Sequence, residues 1–328
     1  RRPMSSVLSL ARPEILQLQP YQHAAWDPSL ERMHANEMPW RAQGDNTSAG
    51  LNRYPEPQPH ALVERMARLY DVPASRCLVG RGSDEAIDLL VRAFCRAGTD
   101  SVAICPPTFG FYRVAARTQG AEVGEVPLLE AGFALDTDAG IAAGRRARIV
   151  FLCSPNNPTG NLLDERAILS ICSALASHAL VCVDEAYIEF SNRASLTSRL
   201  GALPNLVVLR TLSKAYALAG ARCGTLIAGE EIVDLLRRII PPYAIPSSTD
   251  PGVTYYWRVQ SCNPSGTCSA WSSPAWTYSR PGMASPSPLN ASDSGQGYQV
   301  ALSWANVNGE TGYRVYRDNV LIASPASN

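Results

Sequence analysis

Four clusters in this chain combine residue types that packing alone does not require. The first holds a single amine. Of 29 lysines and arginines only Lys214 is a lysine. Arginine keeps its proton at working pH and is a poor carbonyl nucleophile, whereas a lysine amine can form a Schiff base. Alone, one lysine in an arginine-biased chain reads as chance. Its setting reverses those odds: it lies in Thr211-Leu212-Ser213-Lys214-Ala215-Tyr216, with Arg222 eight residues on in Gly220-Ala221-Arg222-Cys223-Gly224. The second cluster, Gly80-Arg81-Gly82-Ser83-Asp84-Glu85, leads into a helix. Its glycines allow close backbone approach, Ser83 suits an N-cap, and free N–H groups at a helix start favour an anion. An ordinary capped helix explains this cluster equally well by itself. The third, Ser154-Pro155-Asn156-Asn157-Pro158-Thr159-Gly160, is a turn after an apolar run, with two adjacent carboxamides that packing does not need. The fourth, Val181-Cys182-Val183-Asp184-Glu185-Ala186-Tyr187, ends an apolar strand in an acid. A buried aspartate is costly unless it meets a cation, and the Tyr187 phenol three residues on can face the same space.

These clusters sit on repeated β-α units. Apolar runs predict strands over 101–105, 121–126, 148–153, 180–184, 206–210 and 223–228. Helical periodicity predicts helices over 60–70, 84–96, 111–119, 164–177 and 230–240. Strands that are apolar throughout and alternate with amphipathic helices imply a mostly parallel sheet covered on both faces. In such sheets ligands bind in loops beyond the carboxyl ends of the strands, which is where the polar clusters fall.

An anion cradle, a strand-end aspartate, an asparagine and tyrosine, and an imine-forming lysine together suit pyridoxal 5'-phosphate. The runs Leu51-Asn52-Arg53-Tyr54-Pro55-Glu56-Pro57-Gln58-Pro59, 81–85, Cys105-Pro106-Pro107-Thr108-Phe109-Gly110, 154–160, 184–190 and 210–224 resemble histidinol-phosphate aminotransferase over residues 5–246. That is a fold-type I aminotransferase of histidine biosynthesis. The turn at 154–160 and the Ser213-Lys214-Ala215 run are shared by many aminotransferases, whereas the runs at 52–59 and 184–190 are narrower. The resemblance implies that Lys214 carries the cofactor and shuttles the substrate's proton, and that Asp184 pairs with the pyridinium nitrogen. Asn157 and Tyr187 then bond the cofactor's 3′-oxygen, and Arg222, Ser213 and the backbone at Ser83 and Asp84 hold its phosphate. Phe109 stands where the family usually stacks a tyrosine, keeping the stacking surface and losing the hydroxyl. Tyr54 matches a residue that reaches the phosphate from a neighbouring subunit, implying a homodimer. Tyr21 and Asn36 match positions lining the substrate site.

The chain changes character near residue 245, where Pro, Ser, Thr and Gly replace helical periods. The expected division is an N-terminal arm (1–30), a large α/β domain (31–246), a linker (247–252) and a β-rich tail (253–328). The family's small α/β domain, with its carboxylate-gripping arginine, has no match after 246. Arg258, Arg280, Arg314 and Arg317 fit no family motif, so low turnover is expected. The tail resembles two incomplete fibronectin type III modules. Its strand-like runs lie at 252–262, 271–278, 286–292, 298–304, 312–317 and 320–323, and it holds four of the six tryptophans.

Zero formal net charge gives no electrostatic case for nucleic acid or an anionic membrane, and no apolar run is long enough to span a bilayer. Cys77, Cys95, Cys105, Cys153, Cys172, Cys182 and Cys223 have the wrong spacing for zinc and read as buried thiols. Cys262 and Cys268 can pair only in an oxidising compartment, while the enzyme-like part implies cytoplasm. His23, His34, His60 and His178 form no ligand cluster. Two function classes stay open: an aminotransferase taking an amino donor and a keto-acid acceptor, or a silent fusion with an adhesion-like tail. A related threonine-phosphate decarboxylase remains open within the first class.

Overall fold

The computed structural model describes residues 7–22, 35–47 and 50–242, and six short strands between 255 and 323. Two compact units are distinguished. One comprises Arg1–Asn36 with Tyr54–Pro246, the other Glu37–Arg53 with Ser247–Asn328.

The first unit is built on a seven-stranded sheet: β1 (Cys77–Gly80), β2 (Ser101–Ile104), β3 (Glu122–Glu125), β4 (Ile149–Cys153), β5 (Leu180–Asp184), β6 (Leu206–Thr211) and β7 (Gly224–Ile227). Their order is β1-β7-β6-β5-β4-β2-β3. Neighbouring strands are parallel except at β7, which runs antiparallel to β1 and β6. The carboxyl ends of β4, β5 and β6 therefore share one edge with Gly224 at the start of β7. Every residue of β4, β5 and β6 is buried, as their unbroken apolar runs require.

Strand parity divides the core into two layers. Leu180, Cys182, Val207 and Leu209 face α3 (Ser83–Phe94), α4 (Phe111–Gln119) and α7 (Glu230–Leu236). Val181, Val183, Leu206 and Val208 face α2 (His60–Leu69), α5 (Thr137–Gly144) and α6 (Glu165–Ala174). A further short helix, α1 (Pro13–Gln17), follows Val7, Leu10 and Ala11, which are buried in the α3 layer; Arg12 N–H donates to Ala93 O at 2.9 Å.

Several sequence expectations need correction. β1 has only four residues before Arg81-Gly82, and α5 is Ala- and Gly-rich, so neither carries a periodic apolar signal. β3 is an edge strand that exposes Glu122 and Glu125, not a strand apolar throughout. α6 stops at Ala174 and α7 at Leu236, short of the predicted 177 and 240. No helix among the described residues is long and apolar enough to cross a membrane.

In the second unit the Asp45 carboxylate accepts from the backbone N–H groups of Thr47 and Leu51 and from the Thr47 hydroxyl, closing a local loop. Arg53 pairs with Glu37 at 3.0 Å. The tail strands form three antiparallel ribbons: Tyr255–Trp257 with Trp276–Tyr278, Asn290–Asp293 with Val300–Ser303, and Val315–Arg317 with Val320–Ala323. The linker at 247–252, Cys262 and Cys268 lie outside the described residues.

Parity also places two charged groups on opposite faces. Arg210 follows Leu206 and Val208 into the α2 layer. There its Nη2 donates to Glu189 Oε1 at 2.8 Å, its Nη1 lies 3.7 Å from Glu185 Oε2, and its guanidinium stands 4.5 Å over the Tyr70 ring. Glu185 also accepts from the Ser195 hydroxyl and Leu196 N–H. Removing the cation leaves two carboxylates facing each other in a nearly dry site. Arg210→Met should therefore lower unfolding free energy by about 3 kcal/mol in urea titration, the usual cost of stranding a buried charge. A loss below about 1 kcal/mol, the scale of an exposed pair, would show that the carboxylates do not need it.

Candidate active site

The edge where β4, β5 and β6 end encloses a cavity of about 160 Å³. Its wall takes Asp184 from β5, Cys153 from β4, Thr211 from β6, Lys214 from the following loop, and Gly82 to Asp84 from the start of α3. Phe109, Asn157, Tyr187, Ser213 and Arg222 complete it. Nine of the twelve residues singled out in the sequence thus meet in one place: Lys214, Asp184, Tyr187, Ser83, Asp84, Phe109, Asn157, Ser213 and Arg222. An adjoining open cleft of about 720 Å³ shares Asn157 and Tyr187 and runs past Phe190 to Arg193.

Asp184 is the anomaly of the site. It is 3% exposed. Its Oδ2 accepts from the Tyr112 hydroxyl at 2.8 Å and its Oδ1 from Ala186 N–H at 3.1 Å. Among the described residues no cationic side chain pairs with it. Burial pushes its pKa up from 3.8 to about 6, against the opposing pull of those hydrogen bonds and of Lys214. A carboxylate uses up to four acceptor positions, so two hydrogen bonds leave capacity for a cation in the cavity.

The anion side is built from backbone. α3 begins at Ser83 with Gly82 at the N-cap, and no side chain caps it. This corrects the expectation that Ser83 caps the helix: it is the first helical residue, one position too late. The first N–H groups of α3 lack intrahelical partners and stay available to an anion. Gly82 has φ of +88°, and a Cβ there would come within 2.8 Å of Arg222 Nη2. A Cβ on Gly224 would lie 2.5 Å from Ser83 N, so the close approach of β7 to this helix start depends on glycine. Arg222 Nη2 reaches Arg81 O at 3.3 Å and Asp84 Oδ2 at 3.5 Å. Thr211 Oγ1 donates to Ser213 Oγ at 3.0 Å and accepts from Ser213 N–H at 3.2 Å, fixing the turn before Lys214.

Lys214 Nζ lies 5.5 Å from the Tyr187 ring centroid, and among the described residues it forms no ion pair. Asn157 Nδ2 approaches Tyr187 Oη at 3.5 Å. Tyr21, Asn36 and Tyr54 lie outside the cavity lining: Tyr21 and Tyr54 are 68% and 47% exposed, and Asn36 is exposed in a left-handed turn. Sequence reasoning missed Tyr112, Cys153 and Thr211. The available signal for Tyr112 was a phenol on the apolar face of a helix beside Ala115 and Ala116, since a buried hydroxyl needs a partner.

Residues 30–255 match the family described as aminotransferase class I and II. This chain belongs to that family. Aminotransferases of this family use pyridoxal phosphate. The chain is 46% identical over 252 residues to histidinol-phosphate aminotransferase 2 of Idiomarina loihiensis, covering 75% of this chain and 70% of that protein. Among solved structures it is similar to a histidinol-phosphate aminotransferase from Sinorhizobium meliloti in complex with pyridoxal-5'-phosphate. There the TM-score is 0.55 at 28% identity, over 59% of this chain and 53% of that one. It is also similar to an L-threonine-O-3-phosphate decarboxylase from Porphyromonas gingivalis, with TM-score 0.53 at 26% identity over 60% of this chain and 57% of that one. The aminotransferase chain thus spans less than two thirds of these solved structures.

In the cofactor-free protein, Asp184 binds its proton more tightly when folded than when unfolded. Its contribution to stability is fully present below about pH 4 and is lost as pH rises through about 6. Asp184→Asn should remove this dependence. The variant should gain on the wild type, by on the order of 3 kcal/mol, between those limits in urea titrations. A difference that stays constant across that window would contradict the buried, unpaired carboxylate.

Proposed function

We propose that this chain is a pyridoxal-phosphate-dependent aminotransferase. In this reading histidinol phosphate is the amino donor and 2-oxoglutarate the acceptor, giving imidazole acetol phosphate and glutamate. The observation that carries the reading is a buried carboxylate with no cation partner among the described residues, in a cavity whose wall also holds the chain's only lysine and a helix start with no side-chain cap. These donors fit a group that has an aldehyde, a protonatable ring nitrogen and a phosphate.

Bound pyridoxal phosphate supplies an electron sink for the charge left when the substrate's α-proton departs. Asp184 holds the proton on the ring nitrogen, because a carboxylate buried beside a cation favours the charged pair. Asn157 and Tyr187 would hydrogen-bond the 3′-oxygen, and Phe109 would offer its face to the ring. Ser213, Arg222 and the N–H groups at Ser83 and Asp84 hold the phosphate. Lys214 Nζ would hold the aldehyde carbon and, once the substrate's amine has displaced it from that carbon, would be the free amine that takes the α-proton. Tyr54, exposed on this chain, serves a second copy in a homodimer, and Tyr21 and Asn36 face substrate. The reading implies a cytoplasmic enzyme. The fibronectin type III-like tail at 253–328 belongs to this reading through its sequence pattern; the described strands there pair only as two-stranded antiparallel ribbons.

The similarity to the threonine-phosphate decarboxylase favours one second reading, release of carbon dioxide from a phosphorylated amino acid. Glutamate formation from histidinol phosphate and 2-oxoglutarate supports the first reading. Carbon dioxide release from threonine phosphate without glutamate formation supports the second. With added pyridoxal phosphate the wild type should develop a protein-bound absorbance band. Lys214→Ala should abolish it and cut turnover by at least about 10²-fold. An unchanged band in that variant would reject the assignment, and no band in the wild type would favour a silent scaffold.

A further inference from the structure

Tyr112 is the largest fully buried side chain among the described residues; its hydroxyl donates to Asp184 Oδ2 at 2.8 Å and also stands against the Cys153 thiol. Its ring stacks on Phe151 with centroids 4.8 Å apart and planes 6° apart. The edge of the same ring system meets Phe109 at 5.5 Å and 85°. Packing from two sides fixes the ring, so the hydroxyl stays directed at the Asp184 carboxylate. One residue thus touches two walls of the cavity, the carboxylate and the aromatic face. The groups that act electrostatically on Asp184 come from several elements. Tyr112 comes from α4, Asp84 from α3, Cys153 from β4, Cys182 from its own strand and Lys214 from the loop after β6. Of the side chains in that set, Tyr112 alone donates a hydrogen bond to the carboxylate.

We propose that Tyr112 is a positioning residue for the transamination. Its hydroxyl holds Asp184 ionised and fixed in orientation, so that the carboxylate can keep a proton on the nitrogen of a bound pyridine ring, and its ring sets the angle of Phe109. This rests on the cofactor reading above. The phenol itself does not take up or release a proton in the reaction. Burial, and then the charge of Asp184, hold it protonated far above its ordinary range, so it remains a donor at every working pH. A hydrogen bond to a charged acceptor is stronger than a neutral one, and burial strengthens it further. A purely space-filling role would leave Tyr112→Phe neutral, because the ring and its packing are retained.

The test compares wild type with Tyr112→Phe in two states. In cofactor-free protein the Asp184 titration is followed by the infrared carboxyl stretch, assigned by its loss in Asp184→Asn. Removing the donor should move that titration upward by about one pH unit or more. In protein loaded with pyridoxal phosphate, the pH midpoint of the bound cofactor's absorbance should move, and kcat should fall about tenfold or more with KM little changed. If Tyr112→Phe does not fold, replacing Tyr112 by 3-fluorotyrosine, a stronger donor, should move the Asp184 titration the opposite way. An unmoved Asp184 titration overturns the proposal, as does a wild-type absorbance profile in the loaded variant. A wild type with no bound absorbance overturns the functional reading instead. The cofactor-free titration then still decides: a shift sustains the hydrogen bond's control of Asp184, and none refutes it.

Discussion

A buried carboxylate with no cationic side chain paired to it among the described residues is the constraint around which this site is arranged. Asp184 ends a strand whose every residue is buried, between strands that are equally buried. Two hydrogen bonds, from Tyr112 and from Ala186, keep it tolerable without making it comfortable. An uncompensated charge of this kind is costly to a protein unless a ligand completes it, and the cavity in front of Asp184 is where that ligand would sit. The sheet topology accounts for the location. Parallel strands bring β4, β5 and β6 to a common edge, and antiparallel β7 returns Gly224 to that edge against the start of α3.

The two faces of β5 and β6 carry different electrostatic solutions one residue apart. On the α3 side, Asp184 stands without a cation. On the α2 side, Glu185 and Glu189 share Arg210, with Tyr70 beneath the guanidinium. Because side chains alternate along a strand, neighbouring acids at 184 and 185 enter separate layers and need separate partners. The second arrangement finds its cation within the chain and anchors the segment carrying Tyr187. The first is complete only with something added.

Much of the site was legible because its residues occur in runs that packing does not demand. The lone Lys214, the carboxamides at 156 and 157, and an acid closing an apolar strand each break a local pattern. The structure gathers nine of the twelve expected site residues around one cavity. What stayed hidden is also explicable. Tyr112 lies within an amphipathic helix, where an aromatic residue on the buried face looks like ordinary core. Ser83 resembles a cap in sequence, but the left-handed Gly82 takes that place. β1 and α5 were missed because four residues before a Gly-Arg-Gly turn, and an Ala/Gly-rich helix, leave little periodicity to read. Tyr21, Asn36 and Tyr54 were identified only by resemblance, and their exposed positions give no geometric reason of their own for a role.

In the proposed function the cavity is completed by a covalent bond between Lys214 and a pyridoxal aldehyde, facing Asp184. Borohydride reduction of the protein incubated with pyridoxal phosphate, followed by peptide mapping, tests this most directly. One stoichiometric adduct is expected, on the peptide containing Lys214. An adduct confined to another amine, or none at all, would contradict it.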